Sequence, residues 1–195
     1  MPSNPSPRSA DPEAQRWLPA ERLGQLDVDA PLRPWLIGQG LLNQRIKDAC
    51  GDRFERKLVH QWPGVLDPAL QSSLKVNDTT GLFREVALCC GGEPWVLART
   101  VVPDSTLSLH PWLAELGETS LGEMLNEISG VERSAYEYAR IAPEEALASP
   151  AALPESGPLW ARRARIRLRG APLMVREVFL PALGRSGTPA GRREA

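Results

Sequence analysis

Arg84 and Glu177 are charged residues at positions where strand alternation expects apolar ones. In Gly81-Leu82-Phe83-Arg84-Glu85-Val86-Ala87-Leu88-Cys89-Cys90, successive side chains point to opposite faces, so Arg84 shares a face with Leu82, Val86 and Leu88. In Pro172-Leu173-Met174-Val175-Arg176-Glu177-Val178-Phe179-Leu180, the same rule sets Glu177 beside Leu173, Val175 and Phe179. A charge turned into a core costs several kcal/mol unless it is paired or bound to something polar. The two residues imply either a buried ion pair or a pocket for a small anionic ligand.

Other reactive types are few. His60 and His110 stand outside any CxxC or HxxxH spacing, so no metal site is expected. Cys50, Cys89 and Cys90 cannot all pair within one chain, and Cys89 and Cys90 point to opposite faces of their strand. Small buried thiols in a reducing cytosol are the expectation, ahead of a Cys89 or Cys90 nucleophile served by His60. Thr119-Ser120-Leu121-Gly122-Glu123 reads as a capped helix start, where backbone N–H groups near Leu121 and Gly122 attract anions. Most capped helices bind nothing, so this signal alone is weak. Arg163, Arg165, Arg167 and Arg169 form a basic row, but a net charge of -1 and the lack of interleaved aromatics favour a solvated face over nucleic-acid binding.

The elements that position these residues follow from periodicity. Leu32, Trp35, Leu36, Leu42, Ile46 and Ala49 mark a helical stretch stopped by Gly51 and broken into two helices at Gly38 and Gly40. A strand beginning at Phe54 is expected to end at Pro63-Gly64. The Arg84 strand turns at Gly91-Gly92 and returns from Pro94 to Val102 as a hairpin, with the facing of Arg99 left open. A second helical stretch starts near Pro111, and Val131 to Ile141 reads as one strand. Arg162, Ala164, Ile166 and Leu168 occupy the apolar face of a last hairpin. A Gly170-Ala171 turn would set Ala164 opposite Glu177. Hairpins with segregated helices give an α+β domain on an antiparallel sheet.

With 42% hydrophobic and 24% charged residues, the chain reads as a single globular domain over residues 21–182. Residues 1–20 read as a Pro/Ser/Ala-rich disordered arm, 183–195 as a flexible tail, and Ala142 to Pro158 as a flexible excursion. The apolar runs are too short to span a bilayer and the N-terminus has no secretory h-region, so a cytoplasmic protein without membrane insertion is expected.

Several segments occur in an order that carries a resemblance. They are Leu82-Phe83-Arg84-Glu85-Val86, Gly92-Glu93-Pro94-Trp95, Ala98-Arg99-Thr100-Val101-Val102-Pro103, Leu121-Gly122, Leu159-Trp160-Ala161-Arg162-Arg163 and Glu177-Val178-Phe179-Leu180-Pro181. Over about Leu32 to Pro181 the chain resembles the chorismate pyruvate-lyase family of ubiquinone biosynthesis. The resemblance implies a single α+β domain with an antiparallel sheet of about six strands, helices on one side and an enclosed pocket. It implies conversion of chorismate to 4-hydroxybenzoate and pyruvate without metal or organic cofactor; a monomer is expected. The family's ligand contacts fall on Arg84, Glu177, Leu121 and Leu42, the last replacing a usual Met; Arg84 and Glu177 would be the catalytic pair. Two other readings keep the pocket: a non-catalytic sensor of small aromatic acids, and a lyase giving a different hydroxybenzoate.

Overall fold

Two left-handed residues in a row at Gly91 and Gly92, with φ of 59° and 83°, close the hairpin that carries Arg84. The computed structural model describes residues 17–25, 27–38, 40–146 and 157–185. In chain order its strands and helices are β1 (Leu18–Pro19), α1 (Arg33–Ile37), α2 (Leu42–Cys50), β2 (Phe54–Val65), α3 (Pro68–Leu74), β3 (Thr80–Cys90) and β4 (Glu93–Pro103). There follow α4 (Asp104–Leu109), α5 (Leu121–Glu127), β5 (Val131–Arg133), β6 (Glu137–Ile141), β7 (Leu159–Leu168), β8 (Ala171–Phe179) and α6 (Pro181–Arg185). The strands form one antiparallel sheet of eight, ordered β1-β6-β7-β8-β4-β3-β2, with β5 pairing β7 off that path. Its six longer strands are the expected sheet; β1 and β5 are additions of two and three residues.

Both faces of the sheet are covered. On the Arg84 face, α1 and α2 pack Trp35, Leu36, Leu42 and Ile46 against Leu88, Val96, Trp160 and Phe179. Farther along the same face, α5 and the 3-10 turn Pro111–Ala114 pack Leu113, Leu121 and Leu125 against Leu82, Val102, Ile166 and Leu173. The opposite face carries α3, whose Leu70 and Leu74 meet Phe83, Val101 and Met174. Asp67 caps α3 by accepting from Leu70 N–H at 2.7 Å, and Pro68 fills its first turn.

Several expectations need correction. β2 runs through Pro63-Gly64 to Val65, because it is an edge strand where proline's missing donor costs no ladder bond. The stretch from Val131 to Ile141 is two strands, β5 and β6. The last hairpin turns at Arg169-Gly170, both at positive φ, not at Gly170-Ala171. The pairing thereby shifts two residues from the expected register: Arg162, not Ala164, lies opposite Glu177. Cys50 and Cys90 are joined in a disulfide, not free thiols, with Cα atoms 5.7 Å apart; only Cys89 is free. The basic row is not uniformly solvated either. Arg163 is buried, bonds Glu137 Oε2 at 2.8 Å and stacks on Trp17, while Arg165 donates to Ser73 O.

The packed chain also exceeds the expected domain limits. Leu18 and Pro19 pair with β6, and α6 buries Leu183 completely. Residues 1–16 of the expected arm, 186–195 of the tail and 147–156 of the excursion lie outside the described residues; Pro143–Glu145 form a 3-10 turn and Ala146 is buried. Among the described residues no helix is long and apolar enough to cross a membrane.

Candidate functional site

Between the two helical covers of the Arg84 face the sheet is left without a lid of core side chains, and a cavity occupies the gap. Its floor is the middle of three strands: Arg84 and Val86 on β3, Ala98 and Thr100 on β4, Val175 and Glu177 on β8. Small Ala98 and Thr100 leave space where larger neighbours on both sides, Val96 and Val102, join the cores. Leu41, Leu42 and Asn43 at the start of α2 and Ser120, Leu121 and Gly122 at the start of α5 form the walls. The volume is about 90 Å³. One water occupies roughly 10–15 Å³ of such space, so the room suits a small organic molecule.

Arg84 is 3% exposed and has no carboxylate partner among the described residues. Its Nη2 donates to Gly117 O at 2.7 Å and to Thr119 O at 3.0 Å, while its buried Nε has no hydrogen-bond partner. Burial pushes its pKa down to about 10, and nearby Arg56 adds to the effect. The guanidinium stays charged at neutral pH in a setting that disfavours charge. A ligand carboxylate would relieve that cost.

Glu177 is satisfied differently. Its Oε2 accepts from Arg162 Nε at 2.5 Å, so the ion pair on this face is Glu177 with Arg162 and not with Arg84. Arg162 is fully buried, donates through Nη1 to Leu36 O and Gly38 O, and lies 4.2 Å from the centre of the Tyr136 ring. Alternation had already put Arg162 on the apolar face. Its pairing with Glu177 follows from the turn at Arg169-Gly170.

The walls are joined to one another. Asn43 Nδ2 donates to Glu123 Oε1, which also faces Arg56 Nη2 at 3.4 Å, so the starts of α2 and α5 share one carboxylate. Ser120 caps α5 by accepting from Glu123 N–H at 3.3 Å. Leu121 and Gly122 lie in the first turn, where N–H groups have no acceptor within the helix. All four residues expected at the site, Leu42, Arg84, Leu121 and Glu177, line this one cavity.

The remaining reactive residues lie elsewhere. Cys89 is buried among Ala87, Leu97 and Val178 on the opposite face, and burial pushes its thiol pKa up. His60 is exposed and stacks on Trp62 at 4.8 Å between centroids. Arg99 pairs with the fully buried Glu85 at 2.5 Å, also on the opposite face. Among the described residues no cluster of three or more His, Cys, Asp or Glu could hold a metal.

A family model described as chorismate lyase matches residues 12–185. The chain is 35% identical over 189 residues to the probable chorismate pyruvate-lyase of Pseudomonas putida, covering 96% of this chain and 98% of that protein. It is 36% identical over 158 residues to the chorismate pyruvate-lyase of Citrobacter koseri, covering 80% and 86%. Among solved structures, PhnF from Mycobacterium smegmatis superposes with a TM-score of 0.53 at 20% identity, over 75% of this chain and 66% of that one. That last likeness is one of fold alone.

Proposed function

The chain belongs to the chorismate lyase family, and from that premise we infer that it converts chorismate to 4-hydroxybenzoate and pyruvate. The observation that carries the reading is a cavity with an uncompensated buried arginine on its floor and a carboxylate held by a second buried arginine. Chorismate presents a ring carboxylate and, across the ring, a hydroxyl, which match these two groups.

In this reading Arg84 grips the ring carboxylate through the guanidinium edge that includes its unpartnered Nε. Glu177 accepts a hydrogen bond from the C4 hydroxyl, with Arg162 fixing the carboxylate. Leu121 contributes backbone N–H, and Leu42 closes the wall over the ring. The reaction loses the C4 hydrogen as a proton, its electron pair forms the C3–C4 double bond, and the C3–O bond breaks with its pair on the enolpyruvate oxygen. Protonation of enolpyruvate at its methylene carbon gives pyruvate. Aromatisation supplies the driving force, so the protein contributes orientation and charge stabilisation.

Chorismate incubated with the purified protein is the test. Equimolar 4-hydroxybenzoate and pyruvate are expected. A different hydroxybenzoate would reassign the product, and tight binding without turnover would make the protein a sensor.

A monomer in the cytoplasm is part of the same proposal, checked by light scattering and fractionation. The Cys50–Cys90 bond runs against a reducing compartment, and a count of free thiols on protein from freshly lysed cells decides between them.

A further inference from the structure

Chorismate carries a second carboxylate, on the enolpyruvyl group at C3, next to the C4 hydroxyl. With that hydroxyl at Glu177, the second carboxylate must meet the wall on the Glu177 side. Neither Arg84 nor Arg56 serves that side. Arg84 contacts Gly117 O and Thr119 O, and Arg56 contacts Glu118 O and Glu123. Arg162 is held by Glu177, Leu36 O and Gly38 O, and although its buried Nη2 has no partner, the residue does not line the cavity. Arg45 donates to Pro34 O and Trp35 O and does not line the cavity.

One cation remains. Arg133, at the end of β5, lines the cavity and donates from Nη1 to the Tyr136 hydroxyl at 3.3 Å, with no carboxylate partner among the described residues. Tyr136 lies against Arg162, which holds Glu177, so Arg133 belongs to the Glu177 side. The Tyr136 hydroxyl accepts from Arg133 and keeps its own proton to donate.

We propose that Arg133 and Tyr136 form the subsite for the enolpyruvyl carboxylate, a site that substrate fills and 4-hydroxybenzoate leaves empty. The inference rests on the lyase reading above. When the C3–O bond breaks, negative charge grows on the enolpyruvate oxygen, and a guanidinium at the adjoining carboxylate stabilises the departing fragment. Arg133 is exposed, as a residue at the mouth must be if it is to meet incoming substrate and let pyruvate go.

The test compares substrate with product in one set of variants. Arg133→Gln and Tyr136→Phe are assayed for chorismate kcat and KM, and for 4-hydroxybenzoate affinity by calorimetry. Arg133→Gln is expected to raise chorismate KM about tenfold, near 1.4 kcal/mol, and Tyr136→Phe about threefold. Product affinity is expected to stay within about twofold of wild type in both. Retained product binding also shows that each variant folds. Unchanged chorismate KM, or a parallel loss of substrate and product affinity, overturns the subsite. A wild-type protein that makes no 4-hydroxybenzoate overturns the lyase reading instead, so the two failures are separable.

Discussion

At the scale of single residues, the site uses two arginines for opposite purposes. Arg162 spends its charge on Glu177 and on two carbonyls, whereas Arg84, on the cavity floor, has no carboxylate partner among the described residues; each keeps one buried donor unpartnered. Arg84→Met is accordingly expected to be neutral or stabilising in the empty protein, since it removes a buried charge that nothing neutralises. The same change should lower kcat/KM by about 100-fold, near 3 kcal/mol, through loss of the charged hydrogen bonds to the ring carboxylate. Thermal melts alongside kinetics check both halves. Glu177→Gln has a different signature: it abandons the fully buried Arg162 and should cost about 3–5 kcal/mol of stability as well as turnover. A Glu177→Gln protein that melts like wild type would show the ion pair to be dispensable, and one with full turnover would remove Glu177 from the chemistry.

At the scale of elements, the strands hold the site by register. Arg84 and Glu177 were legible from period-two alternation, because one charge among Leu and Val leaves little ambiguity about its face. Arg162 was not, since its partner depended on whether the turn began at Arg169 or Gly170, and a non-glycine residue at φ 50° is hard to anticipate. Helix α3 is signalled only by Asp67-Pro68, a cap followed by a helix-starting proline, because its seven residues are too few to display a helical period. The Cys50–Cys90 bond is a tertiary fact that alternation within β3 cannot contain. It ties the end of α2 to the end of β3, and Leu42 and Asn43 at the other end of α2 form part of the cavity wall. Closing a 40-residue separation is worth ~4 kcal/mol in the chain-entropy estimate. Reduction or Cys50→Ser should therefore lower Tm by roughly 10 °C. An unchanged Tm in dithiothreitol would mean that the bond adds nothing to the fold.

At the scale of the whole molecule, the sheet separates two polar systems. The cavity faces α2 and α5. On the other side a row crosses five neighbouring strands: Glu85, Arg99, Arg176, Arg163 and Glu137, in directly opposed positions. Glutamates stand at both ends of that row and arginines between them, and Arg176 also donates to Glu145 O at 2.6 Å. Glu85→Gln should destabilise the fold by about 3 kcal/mol while leaving 4-hydroxybenzoate affinity unchanged, because Glu85 contributes nothing to the cavity. Ligand and fold are coupled instead through the floor. 4-Hydroxybenzoate at 100 times its Kd should add about 2.7 kcal/mol, an upward Tm shift of roughly 5–11 °C in a chain of this size. The shift should vanish in Arg84→Met.

Arg84 and Glu85 are neighbours in the chain and belong to different systems, one to each side of the sheet. The irregular pairings of β3 fall opposite Leu58–His60 and at Leu88–Cys89, leaving the regular Arg84–Thr100 and Glu85–Arg99 pairs between them and the start of the strand. Gaining or losing one codon upstream in β3 would exchange the two residues, sending a carboxylate to meet a carboxylate and a guanidinium to meet two others. Natural variation in this protein should thus tolerate volume-conserving apolar exchanges along β3 more readily than any change in its length upstream of Arg84.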